Sequence, residues 1–404
     1  MTLPKLAYLT GEYPRASDTF IQREVAALRD IGHEVVTCSI RTTGAEHLVG
    51  PEQREEHART FKVLDTCKSP TRLLRAHLRW MRNPSRYLRA LRLAWQTAPK
   101  GLKGRAYNLI YFLEAGVLAD ALAQHGVTHL HNHIAKASCT VAMLASELSG
   151  IPYSFTIHGP DIFFEPNHWR IDEKAARAAF VACISDFCRS QLMCFADQTH
   201  WTRFHIIHCG VETARYATAP HADKELLFVG RLAAVKGVPV LLDALRGMDR
   251  DWHLTVIGDG PDRADLEDKA KGLPVNFVGY KSQAEVAEAL AGTDVFVLPS
   301  FAEGVPVVLM EALASGVPVV TTRIAGVPEL VEDGENGKLV PPGDADALKE
   351  ALQTLLADPE LRRSFGKNGQ AKVAAEFEVT AEAARLSRLF CGYSDGTPPT
   401  GKRP

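Results

Sequence analysis

Short apolar runs that stop at glycine, proline or polar turns recur along the chain, and most lead into segments whose apolar residues repeat at helical spacing. Residues 6–9 form the first run, closed by Thr10, Gly11 and Pro14. Phe20, Ile21, Val25 and Leu28 then mark one face of a helix that Ser17 or Asp18 would cap, and residues 34–40 alternate as a second strand. Strand, turn, helix and strand in that order open a doubly wound α/β domain. Further strands are predicted at 128–131, 152–157, 180–183 and 205–208; the series restarts at 226–229, 254–257, 276–278, 295–298 and 318–321. The polar stretch 213–224, with Pro220 inside it, separates the two series. The expected organisation is a Rossmann-like domain over 1–215, a second over 216–378, a last amphipathic helix over 379–393, strongest at 380–389, and a disordered Gly/Pro/Thr-rich tail over 394–404.

One segment departs from this alternation. Between residues 68 and 105 eleven Lys and Arg residues occur with no Asp or Glu. Arg72, Arg75, Arg79, Arg82, Arg86 and Arg89 advance in steps of three and four, the spacing of one helical face. Leu74, Leu78, Met81, Leu88, Leu91 and Trp95 run beside them, and Pro84 divides the segment into two helices. Such helices suit an anionic membrane surface or an anionic substrate; equally, they form a solvated hairpin packed by its leucines.

Composition narrows the partners. A length of 404 residues exceeds what one core usually serves, and 46% apolar residues is ordinary for a globular chain. The net charge of -2 argues against nucleic acid as the main partner. Eight cysteines without a CxxC pair read as reduced thiols of a cytoplasmic protein. The start reads as a strand and not a signal peptide, and no run of about 18 apolar residues predicts a membrane span.

The stretch 296–320, FVLPSFAEGVPVVLMEALASGVPVV, carries the densest candidate chemistry. It predicts a strand ending near Pro299, a turn over 302–306 holding Glu303, and a helix over 307–315 holding Glu311. Both acids then lie at the carboxyl edge of a parallel sheet, where open α/β sheets bind ligands. The helix start beside them suits a diphosphate. Taken alone, two spaced carboxylates also fit proton transfer. Arg231 at a strand end and Lys236 at a helix start are placed to converge on a diphosphate, or else form ordinary surface ion pairs. Gly11 frees the backbone at the first strand's end, whereas the Gly258 turn needs no function. His158, with Asp161 after it, follows a strand and reads as a site residue or as a satisfied buried histidine. His131 and His133 alternate at another strand end; contact with an acceptor ranks above metal binding, since no third ligand is evident. Asp344 and Asp346 read as a helix cap.

GRLAAVKG at 230–237, VIGDGP at 256–261, VGY at 278–280, LPSFAEGVPVVLMEALASGVPVV at 298–320 and AGVPELVEDGENGKLVPPGD at 325–344 resemble, in order, the signatures of family-four retaining nucleotide-sugar glycosyltransferases. IHGPDIF at 157–163 resembles the HGxD loop of that family. LTGEYPRASDTFIQREVAAL at 9–28 and LHNHIA at 130–135 resemble members that build bacterial exopolysaccharides of the colanic-acid type. The resemblance implies the GT-B fold, two Rossmann-like domains facing across a cleft with a C-terminal helix returning to the first. It implies that Arg231 and Lys236 hold the donor diphosphate, that Glu303 contacts sugar hydroxyls and that Glu311 holds the ribose diol. Gly304, Val305, Pro306 and Val307 would present backbone N–H groups. His158 would stand beside the donor sugar, with Gly11, Asp161, Gly230, Gly258 and Tyr280 completing the donor site and Tyr13, His131 and His133 on the acceptor side. No metal or other cofactor is expected. Cys209, where Asn is common, and Ala325, where Gly is common, depart from the pattern without removing a charged group.

The expected function is thus retaining transfer of a hexose from a nucleoside-diphosphate sugar to a lipid-linked, polyprenyl-type acceptor, at the inner face of a membrane touched by the basic helices. Transfer to diacylglycerol or a soluble acceptor, and non-catalytic binding of a sugar nucleotide, are the alternatives. A dinucleotide oxidoreductase would want a GxGxxG after a strand, and the chain has none there.

Overall fold

Two parallel sheets, one in each of two compact units, organise the chain in the computed structural model, which describes residues 3–15, 18–48, 50–159, 163–217, 224–249 and 251–401. The first unit is Met1–His208 with Thr380–Pro404, and the second is Cys209–Val379. The first sheet contains β1 (Leu6–Glu12), β2 (Val35–Arg41), β3 (Phe61–Lys62), β4 (His129–His133), β5 (Tyr153–Ile157), β6 (Val181–Cys183) and β7 (Phe204–Ile206), in the order β3-β2-β1-β4-β5-β6-β7. The second contains β8 (Glu225–Val229), β9 (His253–Ile257), β10 (Val275–Gly279), β11 (Val295–Leu298), β12 (Val319–Thr322) and β13 (Gly337–Val340), in the order β10-β9-β8-β11-β12-β13. Central strands such as β5 and β11 are buried throughout, as helices on both faces of a parallel sheet require.

Two strands fall outside the predicted set. β3 is only two residues long, too short to show a period. β13 begins at Gly337, which reads as a turn; a Cβ there would lie 2.6 Å from the Val319 carbonyl oxygen, so glycine is what lets β13 approach β12.

The division between the units falls at His208, earlier than the expected residue 215. The reason is local pairing. Val211 N–H donates to Phe377 O at 2.9 Å and Val379 N–H to Val211 O at 3.0 Å, tying residues after 208 to the end of the second unit. The last helix runs Val379–Ser394, within one residue of the expected span. From Thr380 on it belongs to the first unit. Its Phe390 ring packs among Tyr8, His129, His131 and Phe180, and its Glu382 accepts from His208 N–H at 2.9 Å. The tail expected to be disordered instead turns back: Thr397 N–H donates to Gly392 O at 2.8 Å, and Gly401 O lies 3.0 Å from His205 Nδ1.

The basic segment forms two helices, Pro70–Met81 and Pro84–Gln96, with Pro84 in the first turn and Asn83 capping it through Arg86 N–H. Most of the predicted apolar series does not pack the hairpin. Leu74, Leu78, Met81 and Leu88 are 60%, 53%, 46% and 61% exposed, and the buried face is made of Ala76, His77, Ala90, Leu93 and Ala94. Arg79 and Arg89 pair with Asp120 and Glu147, and Arg86 donates to Ser149 O.

Helix Leu102–Gln124 is long and apolar enough to cross a membrane by length and composition, which the search for an apolar run did not reveal. Its Phe112, Ala115, Leu118, Ala119 and Leu122 are buried, and it packs on helix Ala137–Ser149. Glu114 on the same helix is also buried, with one carboxylate oxygen lacking a hydrogen-bond partner among the described residues. Burial pushes its pKa up to about 7, while Arg41 pulls it down. The folded chain therefore binds more protons here than the unfolded one between its ordinary value of 4.5 and about 7, so the stability this group contributes is present at low pH and lost as pH rises through that window. Glu114→Gln is expected to raise the melting temperature at pH 8 by about 5 °C, corresponding to ~2 kcal/mol, with little gain at pH 4.5. Thermal unfolding at both pH values checks this, and equal shifts contradict it.

Candidate active site

In the second unit the strand order reverses between β8 and β11, so the loops after these two strands emerge side by side. Phe301 N–H donates to Val235 O at 2.8 Å and joins them. Gly237, at φ +67°, makes the contact possible, because a Cβ would stand 2.0 Å from Pro299 O. Gly258, read from sequence as a plain turn, has the same kind of duty. It sits at φ +135°, where a Cβ would be 1.9 Å from Gly230 O, and Gly230 N–H donates to Ile257 O at 3.0 Å.

This packing brings two of the candidate side chains into contact. Lys236 Nζ donates to Glu303 Oε1 at 2.5 Å, with side chains 22% and 12% exposed. The pair bridges the two switch-point loops and holds the ammonium where water competes poorly for it. Arg231, on the same loop, is exposed and forms no ion pair with a described residue. Helix Val307–Ala314 begins after Pro306, whose extended backbone is the cap; no side chain caps it, so its first N–H groups remain for a ligand or water. Gly304 and Val307 are partly exposed, and Val305 and Pro306 are buried. Glu311 lies on this helix with only 9% of its surface exposed. Tyr280, 74% exposed, follows β10, two strands from the switch point. In the loop after β12, Ala325 takes φ +44°, a left-handed conformation that suits glycine, which explains why glycine is the expected residue there. Asp344 caps helix Ala345–Ala357 through Ala347 N–H, as its spacing suggests.

The first unit has its own switch point, between β1 and β4. Gly11 is exposed near the end of β1, and a Cβ there would meet nothing within 4 Å. The three acceptor-side candidates are not surface groups. Tyr13 is 3% exposed, with its hydroxyl 3.3 Å from Glu56 Oε2. His131 is fully buried between the Ser154 and Thr156 hydroxyls at 2.7 and 2.8 Å. His133 is also fully buried, because β4 extends two residues past its predicted end. All three side chains are buried within the first unit.

His133 instead connects two groups. Its Nε2 lies 3.0 Å from Glu24 Oε1, and its Nδ1 lies 2.8 Å from His158 Nε2. Tyr8 hydroxyl also donates to Glu24 Oε1, at 2.7 Å. The contact between His133 Nδ1 and His158 Nε2 is a single hydrogen bond in which one ring donates and the other accepts. Burial, and secondarily His133, hold the His158 pKa well below its usual value, so this ring is neutral near pH 7. Phe20 packs 4.8 Å from it. Asp161 lies outside the described residues. Glu24, His131 and His133 offer ligand atoms within 4.8 Å of one another, a third ligand that spacing did not reveal. Their hydrogen bonds to Tyr8, Ser154, Thr156 and His158 already satisfy them. Glu24 is the functional candidate that sequence reasoning missed; its only signal is a carboxylate among the apolar positions of the helix after β1.

The family described as Glycosyltransferase Family 4 matches residues 18–215, and Glycosyl transferases group 1 matches residues 212–372. An uncharacterized glycosyltransferase of Methanocaldococcus jannaschii is 31% identical over 62% of this chain and 72% of its own. The amylovoran biosynthesis glycosyltransferase AmsK of Erwinia amylovora is 27% identical over 96% of this chain and 99% of its own. Among solved structures, sucrose-phosphate synthase from Thermosynechococcus elongatus superposes with a TM-score of 0.74 at 20% identity, covering 97% of this chain and all of that one. Anabaena HepE in complex with UDP gives 0.73 at 19% identity, covering 96% of this chain and all of that one. The two-sheet architecture is thus the GT-B fold.

Proposed function

Because the chain belongs to glycosyltransferase family 4, within relatives of exopolysaccharide type, we propose that it moves a hexose, with retention of configuration and without a metal, from a nucleoside-diphosphate sugar to a lipid-linked acceptor. The observation that carries this reading is the Lys236–Glu303 ion pair at the second unit's switch point. A bound diphosphate takes the ammonium and the Arg231 fork, and the uncapped start of helix Val307–Ala314 adds N–H donors and its dipole. Glu303 turns its carboxylate to sugar hydroxyls, and Glu311 accepts from the ribose diol. As the glycosidic bond breaks, negative charge moves onto the leaving phosphate, where fixed cations stabilise it more than in the ground state. The same phosphate oxygen takes the acceptor hydroxyl proton on the face the sugar leaves, which retains the anomer. His158, kept neutral by burial and hydrogen-bonded to His133, serves the sugar side of the reaction. A relative's complex with UDP favours a uridine donor. A thermal-shift panel tests the reading: UDP or another nucleoside diphosphate is expected to raise the melting temperature, and a flat response to UDP, GDP and ADP would count against it.

The exposed leucines favour the membrane-facing form of this function. Leu74, Leu78, Met81 and Leu88 stand in water beside Arg72, Arg75 and Arg82, a surface that anionic lipid would cover. Vesicles with about a third anionic lipid are expected to co-float the protein, and Leu74→Ser with Leu88→Ser to reduce the bound fraction several-fold. Equal binding to neutral vesicles, or no loss in the variant, contradicts this.

A further inference from the structure

We infer that Glu24 is a positioning residue for His158: acting through His133, it decides which way the hydrogen bond between the two rings runs. The three side chains form one chain of contacts, Glu24 Oε1 to His133 Nε2 at 3.0 Å and His133 Nδ1 to His158 Nε2 at 2.8 Å. Helix Thr19–Ile31 supplies both the cover of this chain and its end. Phe20 and Glu24 are four residues apart and so share a face of that helix. The Phe20 ring packs 4.8 Å from His158, and the Glu24 carboxylate meets His133. His133 is fully buried and the Glu24 side chain only 14% exposed, so water competes poorly for either. His131, 5.0 Å from His133, is held by the Ser154 and Thr156 hydroxyls and lies outside the chain.

The carboxylate end fixes the direction. Tyr8 hydroxyl donates to the same Oε1 at 2.7 Å, the length of a bond to a charged oxygen. Burial, and then Glu24 itself, hold the Tyr8 pKa well above its usual value, so this hydroxyl keeps its proton. An ionised carboxylate only accepts, and a neutral imidazole has one N–H. The neutral ring at 133 then spends its proton on Glu24 through Nε2, its Nδ1 accepts, and the proton of the second bond belongs to His158 Nε2. What is left on His158 is Nδ1 with a lone pair, a group that accepts from a sugar hydroxyl. A proton on Glu24, or a second one on His133, would reverse the second bond and leave His158 with Nδ1–H. Glu24 thus sets the hydrogen-bonding sense of the His158 ring through an intermediate. This deepens the proposed function and rests on it, since only there does His158 serve the sugar.

Nitrogen NMR of the full chain, labelled at histidine, reads the tautomer of each ring directly, with His133→Asn and His158→Ala assigning the signals. Both rings are expected to carry their proton on Nε2. Glu24→Leu keeps the volume and removes the acceptor, and the protons of both rings are then expected to be shared with Nδ1. Glu24→Gln still offers an amide oxygen, and the native tautomers are expected to persist. Turnover follows the tautomers: kcat is expected to be about tenfold lower in Glu24→Leu with KM little changed, and to recover to within about threefold of the native value in Glu24→Gln. Melting curves of both variants separate these losses from a folding defect, and the native tautomers decide the direction even if Glu24→Leu does not fold. The proposal is overturned by Nδ1–H on His158 in the native chain, by unchanged tautomers in Glu24→Leu, or by equal loss of kcat in the Leu and Gln variants. The expected tautomers with kcat untouched in both variants would instead sink the part given to His158 in transfer and leave the direction of the bonds standing.

Discussion

Lys236→Ala is expected to lower sugar transfer by about 100- to 1,000-fold, the cost of removing one fixed charge from a developing anion. Two effects compete in that variant. It removes a cation from the diphosphate, and it leaves Glu303, 12% exposed, without its partner, which by itself destabilises a folded chain by a few kcal/mol. The double variant Lys236→Ala with Glu303→Ala separates them, because it relieves the unpaired carboxylate. Melting is expected to recover toward the native value in the double variant while transfer stays lost. Recovery of transfer together with stability would mean that the pair is only structural.

His158→Ala is expected to reduce kcat by about 100-fold, at the lower end of what a positioned imidazole contributes. His133 is fully buried and hydrogen-bonded to that ring, so His133→Ala is expected to lower kcat by about 10- to 100-fold with KM little changed. Its titratable neighbours among the described residues are Tyr8 on β1, Glu24 on the helix after it, His131 on β4 and His158 after β5. An Asn at 133 carries its amide oxygen close to where Nδ1 stands and is expected to restore much of the rate by accepting from His158. Steady-state kinetics of both variants decide this, and equal loss in Ala and Asn would reduce His133 to packing.

The sheet strands were legible because a buried parallel strand is a short apolar run with glycine or proline behind it, and β5, β8, β9 and β11 read within a residue or so of their ends. The ion pair between Lys236 and Glu303 was not legible as a contact. The residues are 67 apart, and what joins them is a glycine at φ +67° that permits one loop to lie on another. His131 and His133 read as strand-end residues open to an acceptor, but β4 runs on to His133, and Ser154 and Thr156 on β5 and Glu24 on a helix supply their hydrogen bonds. The leucines of the basic helices were ambiguous. Their spacing fitted a packed face as well as an outward one, and the inner side is made of alanines, His77 and Leu93. Periodicity gives a face its character and leaves open which face turns inward.

The central claim is that the second unit's switch point binds a nucleoside-diphosphate sugar and stabilises its departing diphosphate. Release of nucleoside diphosphate from a panel of UDP-, GDP- and ADP-hexoses, measured without acceptor for the native chain and for Lys236→Ala, tests it most directly. Slow release from one donor family, abolished in the variant, is the expected result; release that is unchanged by loss of Lys236, or no release from any of these donors, would contradict it.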